Sequence, residues 1–305
     1  MIIRDEQAAI LGFPYRYKNS GELDTKGVEA SFKLNLLNTK DWNWLVGGNI
    51  AHFKSEVKSL GNVNKKEVTF TDGANLLMQV GESPYLFYGN KAEKIFTTTA
   101  EANAANYRAQ NGTYFVAGDV KFLDKNNDKY INKEDYVVIG DPTPDFYGGF
   151  YSNLTYKNWG LFMNFTYSYG NDIYNGVRRS LESMTDFSNQ DHAIARRWQI
   201  EGQQTDIPRA SYGDPSGNSR FSSRWIEDGS YLKLKEVTLS YETNKKNWIF
   251  NSIRVYLTGE NLVTFTKYLG MDPEFSYSYD PQMLGMDLGK MPLSRNVKLG
   301  VILNF

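Results

Sequence analysis

The last nine residues, Val297-Lys-Leu-Gly-Val-Ile-Leu-Asn-Phe305, constrain the chain most. Val297, Leu299, Val301, Leu303 and Phe305 fall on one face of a strand, and Lys298, Gly300, Ile302 and Asn304 on the other. Side chains alternate between the two faces of a strand, so the first row needs an apolar neighbour and the second a mixed one. A half-buried edge strand of a soluble sheet meets that condition, and so does a strand with lipid on one side. The rest of the chain has to separate the two.

Composition removes several options. The net charge of −1, from 34 basic and 35 acidic side chains, leaves no electrostatic footprint for nucleic acid. The basic clusters Asn64-Lys-Lys66 and Lys245-Lys246 read as solvated turns. The chain has no cysteine, which excludes disulfides, thiolate metal sites and cysteine nucleophiles. No apolar run approaches the roughly 20 residues of a membrane-spanning helix. A mean hydropathy of −0.52 argues against a helical membrane protein. It does not argue against a wall of alternating strands, whose mean is low by construction. The 21 Tyr, 18 Phe and 26 Gly point to strands and turns.

Alternation recurs along the chain. It predicts strands over residues 26–37, 42–57, 145–156, 159–170, 230–243, 252–263 and 295–305. In the fourth, Leu161, Met163, Phe165 and Tyr167 oppose Phe162, Asn164, Thr166 and Ser168. The connections are unequal. Asn38-Thr-Lys-Asp41, Lys157-Asn158 and Asn244-Lys-Lys-Asn247 are short turns, whereas long stretches follow from 59 to 144, from 170 to 230 and up to Ser294. Short and long connections therefore alternate strictly, the pattern of an outer-membrane barrel with short periplasmic turns and long outer loops. Trp42, Trp44, Tyr156, Trp159 and Trp248 flank the short turns, where an interfacial aromatic girdle sits. Soluble β-sandwiches rarely carry such long loops at one end only. Within the long stretches, residues 99–109 and 190–200 read as short helices.

Several local motifs occur in a fixed order. They are Gly21-Glu-Leu-Asp-Thr-Lys-Gly-Val-Glu29, Val80-Gly-Glu-Ser-Pro84 with Phe87-Tyr-Gly89, Gly118-Asp-Val-Lys-Phe-Leu-Asp124 and Ile139-Gly-Asp-Pro-Thr-Pro-Asp-Phe146. Tyr169-Gly-Asn-Asp-Ile-Tyr174, Ser230-Tyr-Leu-Lys-Leu-Lys-Glu-Val-Thr-Leu-Ser-Tyr241, Gly259-Glu-Asn-Leu262 and the last strand complete the set. With them the chain resembles the C-terminal part of SusC/RagA-like TonB-dependent outer-membrane transporters of Bacteroidetes. The resemblance implies an all-β fold: the C-terminal segment of a large antiparallel transmembrane β-barrel of about 22 strands, with long extracellular loops containing short helices. It implies a place in the outer membrane of a Gram-negative cell, in contact with lipid, with a SusD-like surface lipoprotein over segments 59–144 and 171–230. It also implies energy from the TonB system and an oligosaccharide or peptide as cargo. Met1-Ile-Ile-Arg-Asp-Glu-Gln7 is not a secretory signal. The expectation is therefore a fragment lacking the signal, the plug domain and the TonB-contacting segment, and unable to fold alone because open sheet edges in lipid leave backbone groups unpaired.

One loop carries a metal-site pattern. Asp124, Asn126 and Asp128 match positions 1, 3 and 5 of an EF-hand-type calcium loop. Tyr130 offers its carbonyl at position 7, Asn132 stands at 9 and Asp135 at 12, with Ile131 as apolar anchor. A hard cation takes six to eight oxygens, and a tightly wound loop supplies them at these spacings. Two departures are Lys129 in place of the turn glycine and Asp135 in place of the longer glutamate, as in dockerin-like loops. The alternative is an acidic turn closed by side-chain hydrogen bonds without Ca2+.

Enzymatic chemistry finds little support. His52 and His192 are the only histidines and neither lies in a zinc spacing; no G-x-S-x-G elbow is present. The carboxylates Glu227-Asp228 and Glu182 with Asp186 are expected on solvated faces. Tyr85, Phe87, Tyr88, Arg178, Arg179, Trp198, Arg220 and Trp225 concentrate in the long stretches, where they either contact a ligand or pack the loops, and packing is the expectation for most. The expected function is barrel wall and outer loops of a nutrient transporter, with no enzyme activity. The second reading is a secreted, soluble, β-rich carbohydrate-binding module with a calcium-stabilised loop.

Overall fold

The computed structural model describes residues 2–6, 9–13, 15–244, 249–274 and 280–305. Seven long strands form one antiparallel sheet: β1 (Gly21–Asn38), β2 (Trp42–Leu60), β3 (Phe146–Tyr156), β4 (Trp159–Tyr169), β5 (Tyr231–Asn244), β6 (Ser252–Thr266) and β7 (Asn296–Asn304). They lie side by side in chain order. Each pairs with its sequence neighbour, so every connection, short or long, is a hairpin. The first two strands run past the lengths expected from alternation, reaching Asn38 and Leu60.

The register aligns one apolar row across the sheet. Phe150 stands opposite Gly48 and Phe165, Leu154 opposite Trp44 and Leu161, and Leu239 opposite Leu161 and Leu257. Leu257 in turn faces Leu299, and Val255 faces Val301. This face remains uncovered, with Val297 at 73% and Leu299 at 75% exposure. The opposite face carries Asn153, Asn164, Thr238, Ser240, Thr258 and Lys298. Two glycines there make room for rings across the ladder. A Cβ on Gly47 would meet the Tyr151 ring at 2.5 Å, and one on Gly300 would meet the Tyr256 ring at 2.3 Å. Tyrosines thus lie over glycines on the paired strand, an arrangement that fixes register.

The short turns sit at one end and are tied sideways. Lys157 N–H donates to the Asp41 carbonyl at 2.8 Å, and Glu242 N–H to the Asn158 carbonyl at 2.8 Å. Aromatic rings line this end: Trp42 on Tyr156 with centroids 4.2 Å apart, and Trp159 on Tyr241 at 4.9 Å. The turn expected at 245–247, the basic pair Lys245 and Lys246, and Trp248 lie outside the described residues.

The long connections fold into a cap at the other end. A four-stranded sheet comprises Lys65–Thr69, Asn75–Gln79, Leu86–Gly89 and Val137–Gly140. Lys65 and Lys66 therefore belong to a strand rather than a turn, and Lys65 Nζ pairs with Glu67 at 2.9 Å and donates to Tyr88 Oη at 2.9 Å. The helix expected at 99–109 is shorter, α1 (Thr99–Ala105), because Asn106 turns left-handed at φ 54 and closes it. The helix expected at 190–200 is only a 3-10 turn, His192–Arg196. A helix not foreseen, α2 (Gly176–Glu182), starts where Asn175 Oδ1 accepts the Arg178 N–H at 2.8 Å.

Two clusters make up most of the cap's core. One joins Phe96, Tyr107, Phe115, Val120, Phe122 and Ile131 within a single long connection. The other joins Leu76 and Phe87 from the first connection, Tyr174, Phe221 and Trp225 from the second, and Met286 from the third. Burying such side chains stabilises by about 1.5–3 kcal/mol each.

Candidate functional site

The cap is cross-braced by buried polar groups. Asp119, fully buried, accepts from Arg209 Nε at 2.7 Å, Ser216 Oγ at 2.8 Å, Asn218 Nδ2 at 2.9 Å and the Val116 N–H at 2.9 Å. Arg178 donates to Glu227 at 2.6 Å, pairs with Glu182 at 3.4 Å and reaches the Arg224 carbonyl. Glu182 and Glu227 are thus buried partners of an arginine and not, as expected, residues of a solvated face; Asp186 is exposed. Burial pushes the Glu182 carboxyl up against the opposing pull of Arg178 and Arg224. Burial, with Arg178 alongside, pushes the Arg224 guanidinium down to about 10. Tyr174 donates to Asp72 at 2.9 Å, and burial pushes its hydroxyl up to about 12.

The residues singled out for ligand contact are mostly structural, as expected. Phe87 and Trp225 are fully buried. Arg220 lies over the Phe122 ring at 4.8 Å and donates to the carbonyls of Ser216, Gly217 and Ile131. Arg179 holds the Ser219 and Asp72 carbonyls, and Trp198 Nε1 donates to the Thr97 carbonyl at 3.2 Å.

Where cap and wall meet, the inner face opens into a cavity of about 690 Å³ lined by Phe53, Tyr147, Tyr231, Glu274, Lys290 and Met291 among others. Beside it Lys233 of β5, only 2% exposed, binds Asp272 at 2.9 Å and Glu274 at 2.9 Å, and Lys235 binds Glu274 at 2.7 Å. A register shift between Leu234 and Glu236 in β5 sets Lys235 out of the alternation. Sequence reasoning missed this cluster; the signal was two lysines spaced two apart in a strand otherwise apolar on its other face.

The metal-pattern loop is compact. Asp124 Oδ2 accepts the Lys129 N–H at 3.1 Å, Asn126 Oδ1 the Asp128 N–H at 3.1 Å and Asp128 Oδ1 the Tyr130 N–H at 2.7 Å. Asn127 and Lys129 take left-handed φ of 62 and 69, so the turn forms without glycine. Asp135, fully buried, accepts from Lys125 N–H at 2.9 Å and Asn132 N–H at 2.9 Å and so ties both ends together. Asn132 Oδ1 caps Glu134 N–H at 2.6 Å, while the Tyr130 side chain turns to Arg108. Glu134, not singled out beforehand, accepts from Asn126 Nδ2 at 3.1 Å.

No family model matches the chain. TonB-dependent receptor P26 of Formosa agariphila is 30% identical over 305 residues, covering 96% of this chain and 30% of that protein. TonB-dependent receptor SusC of Bacteroides thetaiotaomicron is 23% identical over 305 residues, 94% of this chain and 27% of its own. These matches support a fragment of a SusC/RagA-like TonB-dependent receptor. The RagAB peptide transporter superposes with a TM-score of 0.80 at 24% identity, over 100% of this chain and 32% of that one. The RagAB peptide importer in its "closed-closed" state gives 0.77 at 25% identity, over 100% and 32%. The chain thus spans about 30% of the length of the relatives it matches. The seven-stranded antiparallel sheet is a barrel-wall segment, consistent with those superpositions.

Proposed function

We propose that this chain supplies outer-membrane wall and outward-facing cap to a receptor that imports a nutrient oligomer. The observation that carries the reading is the uncovered apolar face bounded by rings. From Trp159 to Tyr169 is ten strand steps, about 34 Å at about 3.4 Å each, or about 24 Å in height at a tilt of about 45°. That equals the apolar band of an outer-membrane barrel, about 25 Å. Rings mark both limits, with Trp42 on Tyr156 at the turn end and Phe146 stacked on Tyr169 at 4.9 Å at the cap end. A soluble binding module would need a second layer over this face.

The cargo is an oligopeptide, in line with the peptide importer that the chain superposes on; an oligosaccharide is the second class. It passes the inner-face cavity at the wall–cap junction. A SusD-like lipoprotein closes over the cap, and the TonB system drives release. The test is uptake of a fluorescent oligopeptide mixture, and separately of labelled oligosaccharides, by cells with and without the receptor gene. Receptor-dependent, protonophore-sensitive peptide uptake is expected. Uptake of sugars alone would replace the cargo, and a receptor recovered in aqueous buffer without detergent would overturn the membrane reading.

A further inference from the structure

We propose that residues 124–135 form a calcium site that locks the cap. Spacing alone does not carry this, since an acidic turn closed by its own backbone N–H groups has the same spacing. The deciding atom is Asp124 Oδ1. Asp124 is 7% exposed, its Oδ2 is fixed by the Lys129 N–H, and its Oδ1 is buried with no hydrogen-bond partner. A buried carboxylate oxygen without a donor costs free energy unless a cation meets it. The Lys129 ammonium is not that cation: it lies 4.0 Å from Oδ2 and 5.5 Å from the Tyr107 ring centroid.

The neighbouring oxygens belong to the same twelve-residue loop. A single neutral amide, Asn126 Nδ2, bridges Asp128 Oδ2 at 3.0 Å and Glu134 Oε2 at 3.1 Å. That leaves two carboxylates sharing one weak donor in the same loop as the unpaired Asp124 oxygen. The site takes Asp124 Oδ1, the side chains of Asn126 and Asp128 and the Tyr130 carbonyl, with Asp135 closing it through the lone pairs its backbone bonds leave free. All the donors are oxygens on a flexible loop, which suits Ca2+ rather than the rigid octahedron of Mg2+.

The loop's contacts give the site a consequence. The Ile131 carbonyl accepts Arg220 NH1 at 3.1 Å and the Asn132 carbonyl accepts Asn90 Nδ2 at 3.4 Å, so the loop touches the first and second long connections at once. The Lys129 carbonyl accepts the Arg108 N–H at 2.8 Å and anchors the same loop to the strand after α1. Calcium therefore stabilises the joint between the two connections. This inference is independent of what the receptor imports.

The experiment uses the receptor purified in detergent, stripped with chelator and titrated with Tb3+ under tyrosine excitation, then with Ca2+ as competitor. The expected result is a saturable Tb3+ signal, displaced by Ca2+, whose affinity falls about tenfold or more in Asp124→Asn and in Asp128→Asn. Asp128 is exposed, so its variant keeps the fold. In the unaltered receptor Ca2+ should also slow tryptic cleavage at Lys125 and Lys129, and in Asp128→Asn it should not. A Tb3+ signal with the same affinity in both variants, or none that Ca2+ displaces, overturns the site.

Discussion

Phe165 and Trp225 are both large aromatic residues, yet they stand in opposite situations. Phe165 lies in β4, stacks on Phe150 with centroids 4.6 Å apart and turns its outer side to the uncovered face of the sheet. Trp225 lies in the cap, is fully buried and donates its indole N–H to the Arg220 carbonyl at 3.0 Å. Among the described residues the wall strands enclose no core by themselves. Its backbone ladder supplies the order, and its apolar side chains need a partner from outside the chain. The cap encloses its apolar side chains as a soluble domain does, and it pairs its buried charges, as Arg178 with Glu182 and Glu227. On the proposed reading one chain meets two solvents, and each region obeys the rule of its own.

Substitutions break or sharpen that comparison. Trp225→Ala should cost the cap about 3–5 kcal/mol and raise hydrogen exchange at Leu76, Phe87 and Tyr174 while leaving the ladder of β3 and β4 protected. Equal deprotection of the wall would mean that the two regions unfold as one. Lys233→Met should come next, on the order of 3 kcal/mol, since it strands the buried Asp272 carboxylate. Its effect belongs at the junction, read as faster proteolysis after Lys267, and Lys233→Met with Asp272→Leu should recover part of it.

On the wall, Phe165→Arg should cost about 2–4 kcal/mol because it sets a charge near mid-height on the lipid side. Its sequence neighbour Asn164→Arg, on the inner side, should cost under about 1 kcal/mol by the same reasoning. Urea unfolding in detergent, followed by heat-modifiable gel mobility, measures both. Equal costs would remove the lipid assignment of this face.

The smallest expected effect is a pH response of the cap. Burial, and then Asp141 and Asp228 nearby, push the Asp172 carboxyl above its ordinary 3.8, against the Asp141 N–H that it accepts. The folded state therefore holds this proton more tightly than the unfolded chain does. The contribution is fully present below 3.8 and is lost as pH rises through the folded value. Protection of Ile173 and Tyr174, corrected for intrinsic exchange, should rise on acidification in the natural chain and stay flat across that range in Asp172→Asn. A fall on acidification would reverse the sign.

Much of the wall could be read from the chain because its information is local. Val297, Leu299 and Val301 alternate with Lys298, Gly300 and Ile302, and that repeat fixes both the strand and its two faces without reference to any other residue. The inequality of the connections fixed which ends share a side. The compact turn over residues 124–135 was legible for the same reason, as a spacing within twelve residues. The cap was not legible, because Leu76, Phe87, Tyr174, Phe221, Trp225 and Met286 come from three separate connections and follow no period. α2 was missed because its seven residues carry no full apolar stripe, and the helix expected at 190–200 shrank to one 3-10 turn held by Asp191.

The sequence by itself determined the strands, their faces and the order of short and long connections, since a period of two is imposed by backbone geometry. Only the tertiary structure decided that the long connections share a core, that Glu182 and Glu227 are buried on Arg178, that Lys233 is held by Asp272, and that Asp124 keeps one oxygen without a donor. Those outcomes depend on which distant segments displace water from one another, and no local pattern in the chain records that.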